Sequence, residues 1–217
     1  MYVSRNILAI DWKLPSDEVY ILGTGPNGAG HYDKVPRDAW TIGVNKAIEL
    51  WPKIPVSIWL CADGTLPSQK WFQENVHVFI RLAHPLTDNQ NPTPVFCTGV
   101  LLNTYPDVPY YFTHGRTLRD PPPFTPEEGV LRAGGSIGAQ AIQLAYWLGA
   151  KRIVLVGVDM AGDTYFDGTK NINPRLMKDG VSLHCRMCGG LCQWLGVRGV
   201  EVVSLSKTAL KVPVVDK

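Results

Sequence analysis

Charge is scarce in this chain. Only 18% of its 217 residues are Asp, Glu, Lys or Arg, and the formal net charge is +2. No broad basic field exists to draw in nucleic acid, so any basic site is local and no nucleic-acid partner is expected. Long apolar runs are missing as well. None approaches the ~18 residues of a membrane span. The N-terminal stretch MYVSRNILAIDWKLPSDEVY lacks the basic start, unbroken apolar segment and small-residue cleavage site of a secretory leader, and the expected compartment is the cytoplasm. The sequence contains neither a Walker A lysine motif nor a G-x-S-x-G elbow, and neither internal repeats nor low-complexity tracts. Its five cysteines are an odd number in a chain without an export signal, which argues against a disulfide framework.

What is present suits a folded α/β protein. Hydrophobic residues make up 45% of the chain, and a domain of this length buries roughly 70% of its unfolded surface. Strand signals fall at Val19-Leu22, Trp40-Val44, Val56-Cys61, Val78-Ile80, Tyr110-Phe112, Ile153-Val158 and Val200-Leu205. Several are continuous apolar runs, as in strands covered on both faces. In GGSIGAQAIQLAYWLGAKRIVLVGVD, Ser136 is placed to cap a helix whose Ile137, Ala141, Leu144, Ala145 and Leu148 recur at helical spacing. Gly149 stops that helix and a β-branched strand follows. A second helix, over about 184–196, also ends at a glycine and leads into GVEVVSL. Strands alternating with helices predict a Rossmann-like, mostly parallel, doubly wound sheet in a single domain over 1–217.

The middle of the chain breaks this rhythm. From His84 to Pro126 it carries nine prolines, three of them in the run Pro121-Pro122-Pro123, and few helical positions. The segment 84–130 therefore reads as a lid or insertion passing over the ligand-binding end of the sheet. A second excursion spans Asp159 to Ser182. In open α/β sheets, ligands bind beyond the carboxyl ends of the strands, where both excursions begin.

The candidate site begins at VYILGTGPNGAGHYDK. Gly23, Gly25 and Gly28 satisfy G-x-G-x-x-G after a strand, a spacing that lets backbone amides approach phosphate, or that simply makes a tight strand-to-helix turn. A dinucleotide fold would place a carboxylate at the end of the second strand to hold the ribose. Asn45 stands there instead, and Pro26 removes an amide from the turn, so NAD is disfavoured. Asp63 and Asp159 each follow a buried strand directly, where an unpaired carboxylate is costly without a partner or a task, and together they are the candidate Mg²⁺ ligands. Asp163 and Asp167 sit beside Gly162 and Gly168 and read as turn formers. In HCRMCGGLC, Cys185, Cys188 and Cys192 share a helix face, with His184 as a fourth zinc donor. Structural zinc usually takes separated ligand pairs, so the stripe reads rather as core.

Taken together, Gly23-Thr24-Gly25-Pro26, Asn45, the GGS turn and IVLVGVDM followed by a tyrosine resemble a Rossmann-like superfamily. It contains the bacterial sialyltransferases of glycosyltransferase family 42 and the MptE-like proteins, named for 6-hydroxymethyl-dihydropterin pyrophosphokinases. The likeness covers about residues 19–47 and 130–210. It implies that Gly23, Thr24, Gly25, Pro26 and Asn27 form the nucleotide loop, and that Asn45 lies near the ribose or pyrophosphate. Gly135 and Ser136 would offer donors at a helix N-terminus, Asp159 would sit at the pocket rim and Tyr165 beside the phosphates. His184 corresponds to the sialyltransferase base. Met160 stands where a second tyrosine would be expected, and Asn27 replaces the usual Ser or Thr. The implied activity is transfer from a nucleotide or nucleotide-sugar donor of cytidine type to an unknown acceptor, with no covalently bound cofactor. The alternatives are Mg²⁺-dependent pyrophosphate transfer to a small hydroxymethyl compound, and a non-catalytic nucleotide-binding protein. Arg132 and Arg175 are further phosphate candidates, and an oligomer fits as well as a monomer.

Overall fold

The computed structural model describes residues 5–6, 14, 16–51, 53–61, 66–82, 95–98, 110–111, 113–114, 130–131, 136–162, 164–170, 177–178, 181–182 and 184–216. Among these residues twelve strands are formed: β1 (Arg5–Asn6), β2 (Glu18–Leu22), β3 (Trp40–Val44), β4 (Ile58–Cys61), β5 (Val95–Thr98), β6 (Tyr110–Tyr111), β7 (Thr113–His114), β8 (Val130–Leu131), β9 (Arg152–Val156), β10 (Met177–Lys178), β11 (Val181–Ser182) and β12 (Glu201–Ser204). The helices are α1 (Lys70–Leu82), α2 (Ile137–Trp147) and α3 (Cys185–Val197). Eight strands make one sheet in the order β1-β6-β5-β4-β3-β2-β9-β12, and every pairing in it is parallel. From β2 the chain builds outward to β6 on one side, then returns through α2 to β9 on the other side of β2. That reversal is the topological switch point of a doubly wound sheet.

Period-two alternation explains why both faces are covered. Val19, Ile21, Ile42, Val44, Ile58, Leu60, Ile153 and Leu155 point to one side, where they pack with Ile142 and Ala145 of α2 and Leu191 and Leu195 of α3. Tyr20, Leu22, Trp59, Cys61, Val154, Val156 and Val203 point to the other, against Phe72 and Val76 of α1 and Ala47 and Ile48. The two ends of α2 follow the sequence. The Ser136 hydroxyl accepts from the Ala139 amide at 3.4 Å, and Gly149 takes φ +97°, the left-handed conformation that ends a helix.

One expectation is corrected: Val78-Ile80 is not a strand but lies within α1. Inside the proline-rich stretch, β5 and β6 extend the main sheet, β6 where a strand is expected at Tyr110-Phe112, while β7 and β8 pair with each other. Among the described residues no helix is long and apolar enough to cross a membrane.

Candidate functional site

The hydrogen bonding between β2 and β9 continues past the ends of both strands. Beyond the ladder, the Gly23 amide donates to the Val156 carbonyl at 2.8 Å and the Gly25 amide to the Gly157 carbonyl at 2.7 Å. The Asn27 amide then donates to Asp159 Oδ2 at 2.7 Å. A Cβ at Gly23 would lie 2.2 Å from the Gly157 carbonyl oxygen, and one at Gly25 would lie 2.4 Å from the Asp159 carboxyl. The buried Tyr32 hydroxyl fills the space beneath and donates to the Gly23 carbonyl at 3.0 Å. The glycines of G-x-G-x-x-G thus permit contact between two backbones, and the amides of Gly23, Gly25, Asn27 and Gly28 are all engaged within the chain itself.

A cleft of about 170 Å³ opens above this junction. Gly23, Thr24 and Gly25 line one side, Gly157, Val158, Asp159 and Met160 the floor, and Ser136, Ile137 and Gly138 the start of α2. Val44 and the stretch Ala161, Gly162, Thr164 and Tyr165 complete it. Because the first α-helical bond at this end runs from the Gln140 amide to the Ser136 carbonyl, the amides of Ile137 and Gly138 precede the intrahelical ladder and carry the positive end of the helix dipole.

Asp159 is the carboxylate of the cleft. It is 2% exposed. Its Oδ2 holds the Asn27 amide, while its Oδ1 is buried without a hydrogen-bond partner. Burial pushes its carboxyl up to about 6, although the Asn27 bond and the nearby His31 act in the opposite direction. Two non-glycine residues beside the cleft take left-handed backbone, Asn45 at φ +49° and Met160 at φ +54°. Asparagine tolerates that region; for methionine it is uncommon, and such positions cluster at functional sites.

Of the residues singled out in the sequence, Gly23, Thr24, Gly25, Ser136, Asp159 and Tyr165 converge on the cleft. Asn45 lies at its margin, one residue beyond the lining Val44, with its Oδ1 buried and unbonded. Pro26 begins a short 3-10 turn. Asn27 points away, its Nδ2 donating to the Lys207 carbonyl at 3.0 Å. His184 is buried at the N-cap of α3 and is not among the lining residues. One turn on, Cys188 lies beside Ser136 of the cleft lining, so this helix start adjoins the cleft from behind. Asp63, Arg132, Gly135, Asp163 and Arg175 lie outside the described residues.

The cysteine stripe packs inward. Cys188 and Cys192 are buried in the core beside Leu191 and Leu195. Burial raises all three thiols, Cys192 to about 12, and so disfavours the thiolate form a metal ligand needs. One residue was missed by the sequence reading. Lys46 is buried at 7% exposure and pairs with Asp167 of the segment that carries Tyr165. A lysine two residues beyond a strand carries no sequence signal of burial.

No protein-family model and no curated protein matches the chain. Solved structures do. The sialyltransferase CstII from Campylobacter jejuni, in complex with cytidine-5'-monophosphate, is similar with TM-score 0.51 and 14% identity, over 87% of this chain and 79% of that one. The sialyltransferase CST-II in complex with a trisaccharide acceptor and CMP gives TM-score 0.50 and 15% identity, over 87% and 81%. At such identity the likeness is one of fold: this chain folds as those glycosyltransferases do.

Proposed function

We propose that the protein transfers a glycosyl group from a cytidine-type nucleotide-sugar, held in the cleft between the ends of β2 and β9, to an acceptor hydroxyl. The observation that carries this reading is the position of the cleft, at the switch point of the sheet and against the open N-terminus of α2. The fold neighbours that bind CMP support the choice of donor. In the reaction the acceptor oxygen bonds to the anomeric carbon as the bond from that carbon to the phosphate oxygen breaks. The nucleotide leaves with the bonding electrons. Negative charge grows on its phosphate, and the amides of Ile137 and Gly138, the Ser136 hydroxyl and the Tyr165 phenol are the donors placed to meet it.

The acceptor proton needs a base. His184, at the start of α3, fills that role by its resemblance to the sialyltransferase histidine, and Asp159, which faces the cleft, shapes the donor site. His184→Ala is expected to lower turnover by roughly 10²–10⁴-fold while CMP affinity stays within about twofold. Near-normal turnover in that variant would pass the proton to Asp159.

A second reading, Mg²⁺-dependent pyrophosphate transfer, draws on the unbonded Oδ1 of Asp159, with Asp63 as the companion carboxylate. It differs from the first in requiring a divalent cation. The third reading, nucleotide binding without transfer, draws on Met160 in place of a second tyrosine.

A further inference from the structure

The lysine that follows Asn45 has no part in the chemistry above, yet it occupies an unusual place. Lysine is almost never buried unless paired. Lys46 reaches across the fold to Asp167 Oδ2 and, at 3.2 Å, to Thr169 Oγ1. Its ammonium also lies 3.7 Å from Glu49 and 5.5 Å from the centre of the Tyr165 ring. At that distance a cation is attracted to the ring face.

The segment it grips is a small clasp with its own internal bonds. Thr164 and Lys170 form an antiparallel bridge, the Tyr165 amide donates to the Thr169 carbonyl at 2.8 Å, and Gly168 turns at φ +80°. Asp167 Oδ1 accepts from the Thr169 amide at 3.0 Å and from its hydroxyl at 2.7 Å. The clasp meets the body of the protein at the Phe166 amide, which donates to the Thr24 carbonyl at 2.9 Å, at the edge of Phe166 against Tyr32, and at Lys46. Tyr165 sits between these ties, facing the cleft.

From this juxtaposition the structure assigns Lys46 as the positioning residue for Tyr165: its ammonium fixes the clasp by Asp167 and Thr169 and holds the phenol ring over the cleft. The role rests on the proposed transfer reaction for its consequence in turnover, and on the clasp geometry alone for its consequence in order. An apolar side chain would fill the same space without bonding the clasp, whereas arginine retains the charge and donors.

The test compares the wild type with Lys46→Met, Lys46→Arg and Asp167→Asn. Amide exchange is followed by mass spectrometry, and release of CMP from CMP-sialic acid is followed by steady-state kinetics. In Lys46→Met, exchange over 164–170 is expected to rise by about tenfold while β9 amides stay as in the wild type. Turnover should fall by roughly tenfold or more, with CMP affinity within about twofold. Lys46→Arg should recover most of both losses. Asp167→Asn, on an exposed turn, should move exchange and turnover in the same direction by less, and it carries the test if Lys46→Met fails to fold. Unchanged exchange over 164–170 in the variants, or equal acceleration in β9, would overturn the assignment. If the wild type binds no CMP, the donor reading fails, while the exchange data still decide the role of Lys46.

Discussion

Gly23→Ala is expected to cost the fold about 3 kcal/mol or more, because the new methyl would overlap a backbone carbonyl that cannot swing aside. The added Cβ would meet the Gly157 oxygen at 2.2 Å, the Gly157 carbonyl carbon at 2.6 Å and the Val158 nitrogen at 2.9 Å. Relief requires separating the ends of β2 and β9, which breaks the Gly23 bond to Val156 and the Tyr32 bond to Gly23 together. Gly30→Ala is the control. A Cβ there meets nothing within 4 Å, so its effect should stay within about 0.5 kcal/mol. Urea unfolding of both variants checks this. The result separates two meanings of the motif: a loop used only to hold phosphate would lose ligand affinity on substitution and keep its stability, whereas a loop that lets two strand ends touch loses stability first.

Asp159→Asn is expected to remove a pH dependence that the wild type shows. The native carboxyl is raised from the ordinary 3.8 to about 6, so between these values the folded state holds a proton that the unfolded state has released. Stability therefore falls as pH rises from about 4 to 6, and the lost amount approaches roughly 3 kcal/mol above pH 6. Below pH 4 the carboxyl is protonated in both states and the penalty vanishes. Relative to the wild type, Asp159→Asn should gain about 3 kcal/mol between pH 4 and pH 7.5, read as the change in the difference of unfolding free energies. The asparagine keeps an oxygen for the Asn27 amide. A stability cost retained for a task is the usual pattern at functional sites. An identical pH profile in the two proteins would show that Asp159 is not held out of water as its 2% exposure indicates.

How much of this was legible in the sequence depended on whether the signal was local. α2 could be read in full, since Ser136, the apolar spacing and Gly149 each act within one turn of the chain. β2, β3, β4, β9 and β12 could be read because their apolar runs are too short for helices and are rich in β-branched residues. Within α1, Val78-Ile80 reads as a strand because a short apolar run imitates one, while the buried i, i+4 pair Phe72 and Val76 marks the helix face. The glycine motif was found but its meaning was not fixed, since the same spacing serves a phosphate or an opposing backbone. Only the position of Gly157, far along the chain, tells them apart. Lys46 and Asp167 were illegible as a pair for the same reason: their bond spans 121 positions, and each residue by itself looks like a solvated surface charge.

Calorimetric titration of the full chain with CMP, and in parallel with CTP, ATP, GTP and NAD, in EDTA and then in Mg²⁺, tests the central claim most directly. CMP is expected to bind in EDTA, and ATP, GTP and NAD are expected not to compete with it. Binding that appears only for a triphosphate and only with Mg²⁺, or no binding of any of these nucleotides, would contradict the claim.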